Sequence, residues 1–359
     1  MHTFGGQLHK KIEEAREKVA ALLNAKPEEI IFTSCGTESD NTAIMSAVES
    51  YPDKKHIITT RVEHPAVLNF CKHLSRKGYR VTFLPVNKFG QLRIEDLLKE
   101  IDEDTAIVSI MYANNEIGTI FPIHEIGEIL RQRNILFHTD AVQAVGKIPI
   151  DTNKLSVDML SLSGHKLHAP KGIGALYVRK GTRFYPYLIG GHQEHGRRAG
   201  TENTAFIVAL GKACELAAKN IDDEVKYLSR LRDKLESSLL NLCPDTRING
   251  DVNNRLPNTT NISFEYVEGE AILLRLNEYG VCASSGSACT SGSLEPSHVL
   301  RAIGVPFTAI HGSIRFSLSR YNTENEIDKV IEIMPSIIKD LRMLSPFGRD
   351  KLPKECRSF

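Results

Sequence analysis

The feature that most constrains the fold is a repeated alternation of short apolar runs and longer amphipathic stretches, from residue 30 to about residue 178. Apolar runs of strand length separated by segments of helical periodicity predict parallel strands joined by crossover helices. The first part of the chain is therefore predicted to be an α/β domain with a mostly parallel sheet covered by helices. The runs are IIFTS, HIITT, TAIVSIMYA, ILFHTD, DMLSLS and GALYV.

The pattern changes after Thr201. Residues 202–242 predict one long helix, and a closing helix is predicted from about Glu324 to Leu344. Between them lie the mixed stretches NISFEYV, EAILLRLNEYG and SIRFSLS. We therefore predict a large domain over residues 1–201, helical at its extreme N-terminus, and a smaller α+β domain over residues 202–359.

Charge and length limit the kinds of partner. The 359 residues carry 45 basic and 44 acidic side chains, so the formal net charge of +1 gives no field that favours nucleic acid or an acidic membrane. The N-terminal stretch resembles no signal peptide, and no segment offers roughly 18 uninterrupted apolar residues. The seven cysteines show no disulfide or C-x-x-C pattern. A cytoplasmic protein with at least one free thiol is expected.

Polar residues follow several of the predicted strands. Ligands of open parallel sheets bind beyond the carboxyl ends of the strands, so these positions are where chemistry is expected. Each also has an ordinary interpretation, since a glycine turn caps a helix and a lone histidine is commonly a surface turn residue. The segments are Cys35-Gly36-Thr37, Glu63-His64-Pro65, Asn114-Asn115-Glu116 and Asp140 with Gln143.

Lys166 is the strongest candidate for covalent chemistry. It follows the run DMLSLS within Ser163-Gly164-His165-Lys166. A partly desolvated lysine amine can form a Schiff base, whereas most single lysines are solvated loop residues. Because five strand ends each supply a suitable group, a cofactor site is favoured. Asp140 could cap a helix, but opposite a cationic ring nitrogen it would stay ionised.

Two features of the C-terminal part add to this picture. Cys289 lies in a stretch of small residues, Ala283 to Ser293, which gives a thiol the mobility and access that sulfur transfer requires. Arg315 interrupts the strand-like run SIRFSLS. Such an arginine often forms a salt bridge, but its fork of donors can also bind an α-carboxylate.

These residues resemble a known family. The chain is similar to cysteine desulfurases of the nitrogen-fixation and housekeeping iron–sulfur types, within the class-V aminotransferase group of fold-type I pyridoxal-phosphate enzymes. That resemblance implies a seven-stranded, mostly parallel sheet between helices, plus a smaller C-terminal domain. The matching strings span nearly the whole chain and include FTSCGTESDN, EHPAVL, ANNEIGT, HTDAVQAVGK, SLSGHKLHAPKGIGALYVRK, GGHQEHGRRAGTEN, SSGSACTSGSLEPSHVLRAIG and SIRFSLSRYNTENEID.

The resemblance implies a role for each matching residue. Lys166 would hold pyridoxal 5'-phosphate, Asp140 would pair with its ring nitrogen, and Gln143 would bond its phenolic oxygen. His64 would stack on the ring and move protons at the substrate thiol. The residues implied for the phosphate are Gly36, Thr37, Ser163 and His165, with Thr201 contributed by the other subunit of a homodimer. Asn115, also a cofactor contact, and Arg315 would hold the substrate carboxylate.

The resemblance also implies the reaction and its partners. L-cysteine would lose its sulfur to Cys289, leaving L-alanine and an enzyme persulfide that passes to a U-type iron–sulfur scaffold protein. Cys289 would ligate a metal transiently during that transfer, and the sequence shows no stable metal site of its own. Family members usually carry some tens of residues, with a Y-L-D-x-x-A-T-T-P segment and a G-N-P-S turn, before the point that matches Met1.

Two alternatives stay open on the sequence, and a third is excluded. A selenocysteine lyase or another class-V lyase or aminotransferase would share Lys166 and Asp140, although a plain aminotransferase needs no mobile cysteine. A catalytically inert relative or sulfur-relay protein would bind no cofactor and release no alanine. A nicotinamide dehydrogenase is disfavoured, because no G-x-G-x-x-G follows an early strand.

Overall fold

The structure, a computed structural model, describes residues 3–285 and 296–346, with side chains from residue 6 onward. These residues divide into two compact units, each of which is described by itself. The first unit holds the described residues of Met1–Pro85, Leu92–Asn114 and Ile120–Asp222, and the second holds Val86–Gln91, Asn115–Thr119 and the described residues of Asp223–Phe359. The domain boundary predicted near Thr201 stays a prediction.

The first unit contains a seven-stranded sheet, as predicted. Its strands lie in the order β1-β7-β6-β5-β4-β2-β3, in which β3, β2, β4, β5 and β6 run parallel, while β7 is antiparallel to β6 and β1. The mostly parallel α/β fold is therefore confirmed. The strands are β1 (Ile30–Thr33), β2 (His56–Thr60), β3 (Arg80–Leu84), β4 (Thr105–Ser109), β5 (Leu136–Asp140), β6 (Met159–Ser163) and β7 (Gly174–Val178).

Helices of the first unit form because apolar side chains recur at helical spacing. In α5, for example, Ile123, Ile126 and Leu130 are buried along one face, and each contributes about 1.5–3 kcal/mol by leaving water. The helix α3 begins at Pro65, whose missing N–H suits the first turn, with His64 as its N-cap. The helices are α1 (Thr3–Leu23), α2 (Gly36–Ser50), α3 (Pro65–Arg76), α4 (Ile94–Glu100) and α5 (Ile123–Gln132).

The helix α2 differs from its neighbours in burying polar as well as apolar side chains. It packs against strands β4 to β7. Ile44, Ala47 and Val48 belong to a buried apolar cluster, yet Ser39 and Asp40 are also buried on this helix. Buried polar groups need hydrogen-bond partners, so this helix is where a polar site is expected within the first unit.

The second unit is α+β, as predicted. Its strands β8 (Thr246–Asn249), β9 (Thr259–Phe264), β10 (Ser284–Ser285) and β11 (Ser313–Ser317) form an antiparallel sheet in the order β10-β11-β9-β8. Gly312 is needed beside β9, because a Cβ atom there would lie 2.0 Å from the carbonyl oxygen of Phe264. The remaining helices are α6 (Thr204–Leu242), α7 (Gly269–Glu278), α8 (His298–Ala302), α9 (Phe307–Ile310) and α10 (Glu324–Leu344). Residues of α6 up to Asp222 belong to the first unit, and those from Asp223 belong to the second.

No helix in the described part of the chain combines the length and apolarity that a membrane crossing requires. The cytoplasmic location expected from the sequence stays a prediction.

Candidate active site

Asp140 ends β5 and forms the acidic part of the candidate site. Its carboxyl is buried, and Oδ1 accepts a hydrogen bond from the backbone N–H of Val142 at 2.9 Å. Burial raises the pKa of Asp140 to about 6, while the Val142 N–H and the charge of Lys166 oppose that shift. A cation placed against this carboxyl would hold it ionised at neutral pH. Gln143, half-buried, lies three residues further along the chain.

Lys166 lies beyond the neighbouring strand. It is half-buried in a short 3-10 helix, Gly164–Leu167, that directly follows β6. Strands β5 and β6 are parallel neighbours, with Asp140 opposite Ser161. Lys166, which comes just after β6, therefore lies at the same end of the sheet as Asp140. Burial lowers the pKa of His165, and the nearby charge of Lys166 lowers it further. The two residues most important to the predicted chemistry are thus brought to one edge.

The start of α2 approaches the same edge closely. A Cβ atom on Gly36 would lie 2.8 Å from Cγ2 of Val142 and 3.4 Å from Cβ of Ser163, so glycine is required for this approach. Ser163 Oγ and His165 Nδ1 are hydrogen-bonded at 2.9 Å. Backbone N–H groups at a helix start, with nearby hydroxyl and imidazole groups, suit a phosphate. Exposed Thr37 follows Gly36 in the first turn of the helix.

His64 is fixed at the start of α3. Its Nδ1 accepts a hydrogen bond from the backbone N–H of Ala66 at 3.1 Å. In the neutral ring the proton is therefore on Nε2, the nitrogen that can donate to a ligand. The preceding residue, Glu63, is buried, which raises its pKa to about 8, and it accepts hydrogen bonds from the Thr60 hydroxyl and the Met111 N–H.

Thr201 lies in the loop before α6, which two ion pairs hold to the rest of the first unit. Arg198 donates to both carboxylate oxygens of Glu38, at 2.8 and 3.1 Å. Buried Arg16 likewise binds both oxygens of Glu194, at 2.6 and 3.0 Å. The exposed Thr201 lines a cavity of about 180 Å³ together with residues such as Ser34 and Arg198. Its implied contribution to a second subunit stays a prediction.

The predicted carboxylate-binding residues lie together in the second unit. Arg315, on β11, donates from Nη1 to the backbone oxygen of Asn115 at 2.8 Å. Its buried Nε forms no hydrogen bond with any described residue. Glu116 next to Asn115 is buried, which raises its pKa to about 7, and it accepts a hydrogen bond from the Ser297 hydroxyl. Arg315 therefore keeps donor capacity that a carboxylate could use.

Cys289 lies outside the described residues, so its predicted roles as sulfur acceptor and transient metal ligand stay predictions. Among the residues that the structure does describe, no group of three or more histidine, cysteine or acidic side chains could hold a metal ion. Of the cysteines described, Cys71, Cys214 and Cys243 are buried, and burial raises the pKa of their thiols to about 12, about 12 and about 11. Such thiols are poor nucleophiles.

A polar row behind Asp140 was missed by sequence reasoning. His138 Nδ1 lies 2.9 Å from Ser109 Oγ, and its Nε2 lies 2.9 Å from Ser161 Oγ. Asp40 Oδ1 lies 3.6 Å from the same Nε2. The signal was present, since ILFHTD carries a histidine two residues before Asp140 and side chains at that spacing share one face of a strand. Asp40 gave no signal because an aspartate within a helix usually faces solvent.

Comparison with known proteins agrees with this geometry. The family model for aminotransferase class-V matches residues 1–330. The chain is 64% identical over 351 residues to a cysteine desulfurase of Nostoc sp. (strain PCC 7120), covering 98% of this chain and 88% of that protein. It is 57% identical to the cysteine desulfurase NifS of Azotobacter vinelandii, covering 99% and 89%. A solved structure of a NifS-like protein matches with a TM-score of 0.89 at 42% identity, covering 95% and 90%.

Proposed function

The chain belongs to the aminotransferase class-V family and is a cysteine desulfurase, and we propose the following mechanism for it. The protein removes sulfur from L-cysteine with pyridoxal 5'-phosphate held by Lys166. L-cysteine is the substrate, Cys289 accepts its sulfur as a persulfide, and L-alanine is released. The observation that carries the proposal is the convergence of Asp140, Lys166 and the Gly36 turn at one edge of the first unit's sheet.

The residues at this edge fit the cofactor. Gly36 lets the start of α2 approach Val142 and Ser163 closely, and backbone N–H groups at a helix start near a hydroxyl suit a phosphate group. Asp140 would hold the proton on the ring nitrogen, because a buried carboxyl is most stable as an anion when a cation lies against it. When bound, the cofactor supplies an electron-withdrawing ring that stabilises negative charge at the substrate α-carbon.

The protein's own groups bind the substrate and move its protons. Lys166 provides the amine that holds the cofactor and then takes the proton from the substrate α-carbon. His64 exchanges a proton with the substrate thiol through Nε2, which carries the proton of the neutral ring because Nδ1 accepts from the Ala66 N–H. Arg315, with Asn115 beside it, binds the substrate carboxylate through its remaining donors.

The sulfur then leaves through Cys289. Attack of the Cys289 thiolate on the substrate sulfur breaks the carbon–sulfur bond, so the persulfide forms on the protein and the carbon skeleton is released as alanine after protonation. A second thiol protein must collect the persulfide, and we propose an iron–sulfur scaffold protein for this part. We also propose a homodimer, in which Thr201 of one subunit contributes to the phosphate site of the other.

Two substitutions test the proposal. Lys166→Ala should abolish the visible absorbance that the chain develops with added pyridoxal phosphate, and also alanine release from L-cysteine. Lys154→Ala, an exposed lysine whose side chain is 81% accessible, is the matched control and should behave as wild type. If Lys166→Ala kept the wild-type spectrum, the assignment of Lys166 would be wrong.

Cys289→Ala should keep the absorbance and lose persulfide formation and alanine release. Cys282→Ala removes an exposed cysteine that lies nearby in the sequence, and it should retain the absorbance, persulfide formation and alanine release. Normal desulfuration by Cys289→Ala would show that the sulfur acceptor is a different group. Activity of Cys289→Ala toward L-selenocysteine alone would support the lyase alternative.

A further inference from the structure

Asp40 is a buried acid that the proposed chemistry does not use. It lies on α2, one turn after Gly36, and is 1% exposed. Through α2 it packs against the strands that carry His138, Asp140 and Ser161. A buried carboxyl costs stability unless it is paired or protonated, so its position next to the predicted cofactor site requires an explanation.

The polar row connects Asp40 to the neighbourhood of Asp140. Ser109 lies opposite His138 in the pairing of β4 with β5, and Ser161 lies opposite Asp140 in the pairing of β5 with β6. His138 and Asp140 are two residues apart on one strand, so both side chains lie on the same face of the sheet. The Ser161 hydroxyl is thus within hydrogen-bond distance of His138 and is also a hydrogen-bond partner of Asp40.

Among the described residues, the groups that act on the pKa of Asp40 are neutral or negative and do not hold it ionised. His138 is fully buried, and burial lowers its pKa to about 3, so the ring is neutral. Burial raises the pKa of Asp40 well above its usual value, the charges of Asp140, Glu63 and Cys35 raise it further, and the hydrogen bond with Ser161 opposes the shift.

Asp140 is placed differently. Burial raises the pKa of Asp140 to about 6, and the Val142 N–H and the charge of Lys166 limit this rise. Two buried carboxyls that repel each other do not both ionise, and the proton goes to the one with fewer favourable contacts. Of the two, Asp140 has the Val142 N–H and the charge of Lys166 to favour its anion, whereas Asp40 has only the Ser161 hydroxyl to set against burial and neighbouring negative charge in the described part of the chain.

We propose that Asp40 is a positioning residue that holds the single proton of a buried carboxyl pair, so that Asp140 alone presents negative charge to the ring nitrogen of the cofactor. The proposal rests on the proposed function, because it takes Asp140 as the residue facing that ring. The Ser161 hydroxyl can accept the proton of Asp40 and donate to Nε2 of His138. The ring proton of His138 is then on Nδ1, directed at Ser109.

Infrared spectroscopy of the full chain tests where the proton is. Aspartate labelled with ¹³C in its side-chain carboxyl separates these groups from Glu63 and Glu116, which have raised pKa values of their own. At neutral pH, with and without cofactor, a protonated aspartate band should be present in wild type, absent in Asp40→Asn, and retained in Asp140→Asn. Loss of the band in Asp140→Asn with retention in Asp40→Asn would overturn the proposal.

A pH profile of stability separates this role from a merely structural one. Because the folded pKa of Asp40 is raised, its contribution to stability is complete below its ordinary pKa and is lost as pH rises through the folded value. The unfolding midpoint of Asp40→Asn relative to wild type should therefore rise from pH 5 to pH 9, measured without cofactor. No change between pH 5 and pH 9 would mean that Asp40 is already an anion in the folded protein, and it would overturn the proposal.

Asp40→Ala tests the positioning role, because it removes the hydrogen-bonding group that Asp40→Asn keeps. Pyridoxal phosphate should bind Asp40→Asn within about threefold of wild type and bind Asp40→Ala more weakly, because a buried polar network then loses a partner. Equal binding by both variants would overturn the positioning role. Failure of the proposed function would look different, since wild type itself would then bind no cofactor while the infrared band persisted.

Discussion

Two groups of buried acids, one in each unit, are held in opposite ways. In the first, Asp140 and Glu63 are buried with neutral hydrogen-bond donors, and burial raises their pKa values to about 6 and about 8. In the second, Glu236 is also buried, but Arg255 donates to both its oxygens and Thr260 donates to one. Burial would raise the pKa of Glu236, yet these hydrogen bonds outweigh it and the pKa is lowered.

The difference shows that burial alone does not decide the charge of an acid. A carboxylate matched by a two-point hydrogen bond from arginine is fixed as an anion and acts as a structural tie. A buried acid without such a partner keeps a pKa near neutrality and can exchange charge with a ligand, which is why raised pKa values concentrate at functional sites. Asp140 and Glu63 therefore lie where a ligand could change their charge, whereas Glu236 is part of an internal support.

The largest effect is expected from Asp140→Asn. Loss of the anion that holds the ring-nitrogen proton should reduce alanine formation from L-cysteine by about 10²–10⁴-fold. The pKa of Asp140 is raised, so its contribution to stability is lost as pH rises through about 6. Without cofactor, the variant should thus be more stable than wild type at pH 7, by up to about 3 kcal/mol.

Urea unfolding and a steady-state alanine assay measure the two halves of this prediction. The control is Asp158→Asn, which changes a partly buried aspartate that precedes β6 and accepts a hydrogen bond from the Phe137 N–H. Its activity should match wild type. A stability loss in Asp140→Asn at pH 7 would mean that Asp140 behaves like Glu236, and the contrast between these two acids would fail.

A smaller effect, on stability alone, is expected from Arg255→Met. Glu236 would keep its buried charge without its main partner, and the free energy of unfolding should fall by about 3–5 kcal/mol. Arg230→Met breaks an exposed pair with Glu324 as the control and should cost at most about 1 kcal/mol.

Adding Glu236→Leu to Arg255→Met should recover most of the loss, because no uncompensated charge then remains. Urea titration at pH 7 gives all four unfolding free energies. Equal losses in Arg255→Met and Arg230→Met would contradict the view of Glu236 as a fixed anion.

The smallest effect is expected from Thr260→Val, which removes one neutral donor from Glu236 and keeps the shape of the side chain. The free energy of unfolding should fall by about 1–2 kcal/mol, and the loss should be greater at pH 7 than at pH 3. The lowered pKa of Glu236 means that its stabilising contribution is present above its ordinary pKa and is lost as pH falls. A pH-independent loss would point to packing instead.

Sequence reasoning predicted the fold where local signals were strong. The closing helix was predicted from Glu324 to Leu344 and has those bounds, because Thr323 and Glu326 form a capping box at its start. Strand β3 was missed, since it lies at the edge of the sheet, is only partly buried and lacks a continuous apolar run. The inclusion of residues 86–91 and 115–119 in the second unit depends on distant contacts, which no local pattern encodes.

For the site, strand-end positions located Asp140, Lys166 and Ser163, because a parallel sheet brings such positions to one edge. Asp40 was not predicted, because its position near Asp140 depends on the packing of α2 against the sheet. The pairing of Arg315 with the backbone of Asn115 joins residues 200 positions apart, and only the folded chain could reveal it.

The close fit of Gly36 against Val142 bears on protein engineering. A methyl group at position 36 would lie 2.8 Å from Cγ2 of Val142 and clash with it. A larger residue at one of these two positions therefore requires a smaller residue at the other. Gly36→Ala should be tolerated only together with a smaller residue at 142, and a mutant library that randomises one position alone would discard the compensated pairs. Shrinking Val142 while keeping Gly36 opens room beside the turn, which makes position 142 the first choice for admitting cofactor analogues with bulkier phosphate substitutes.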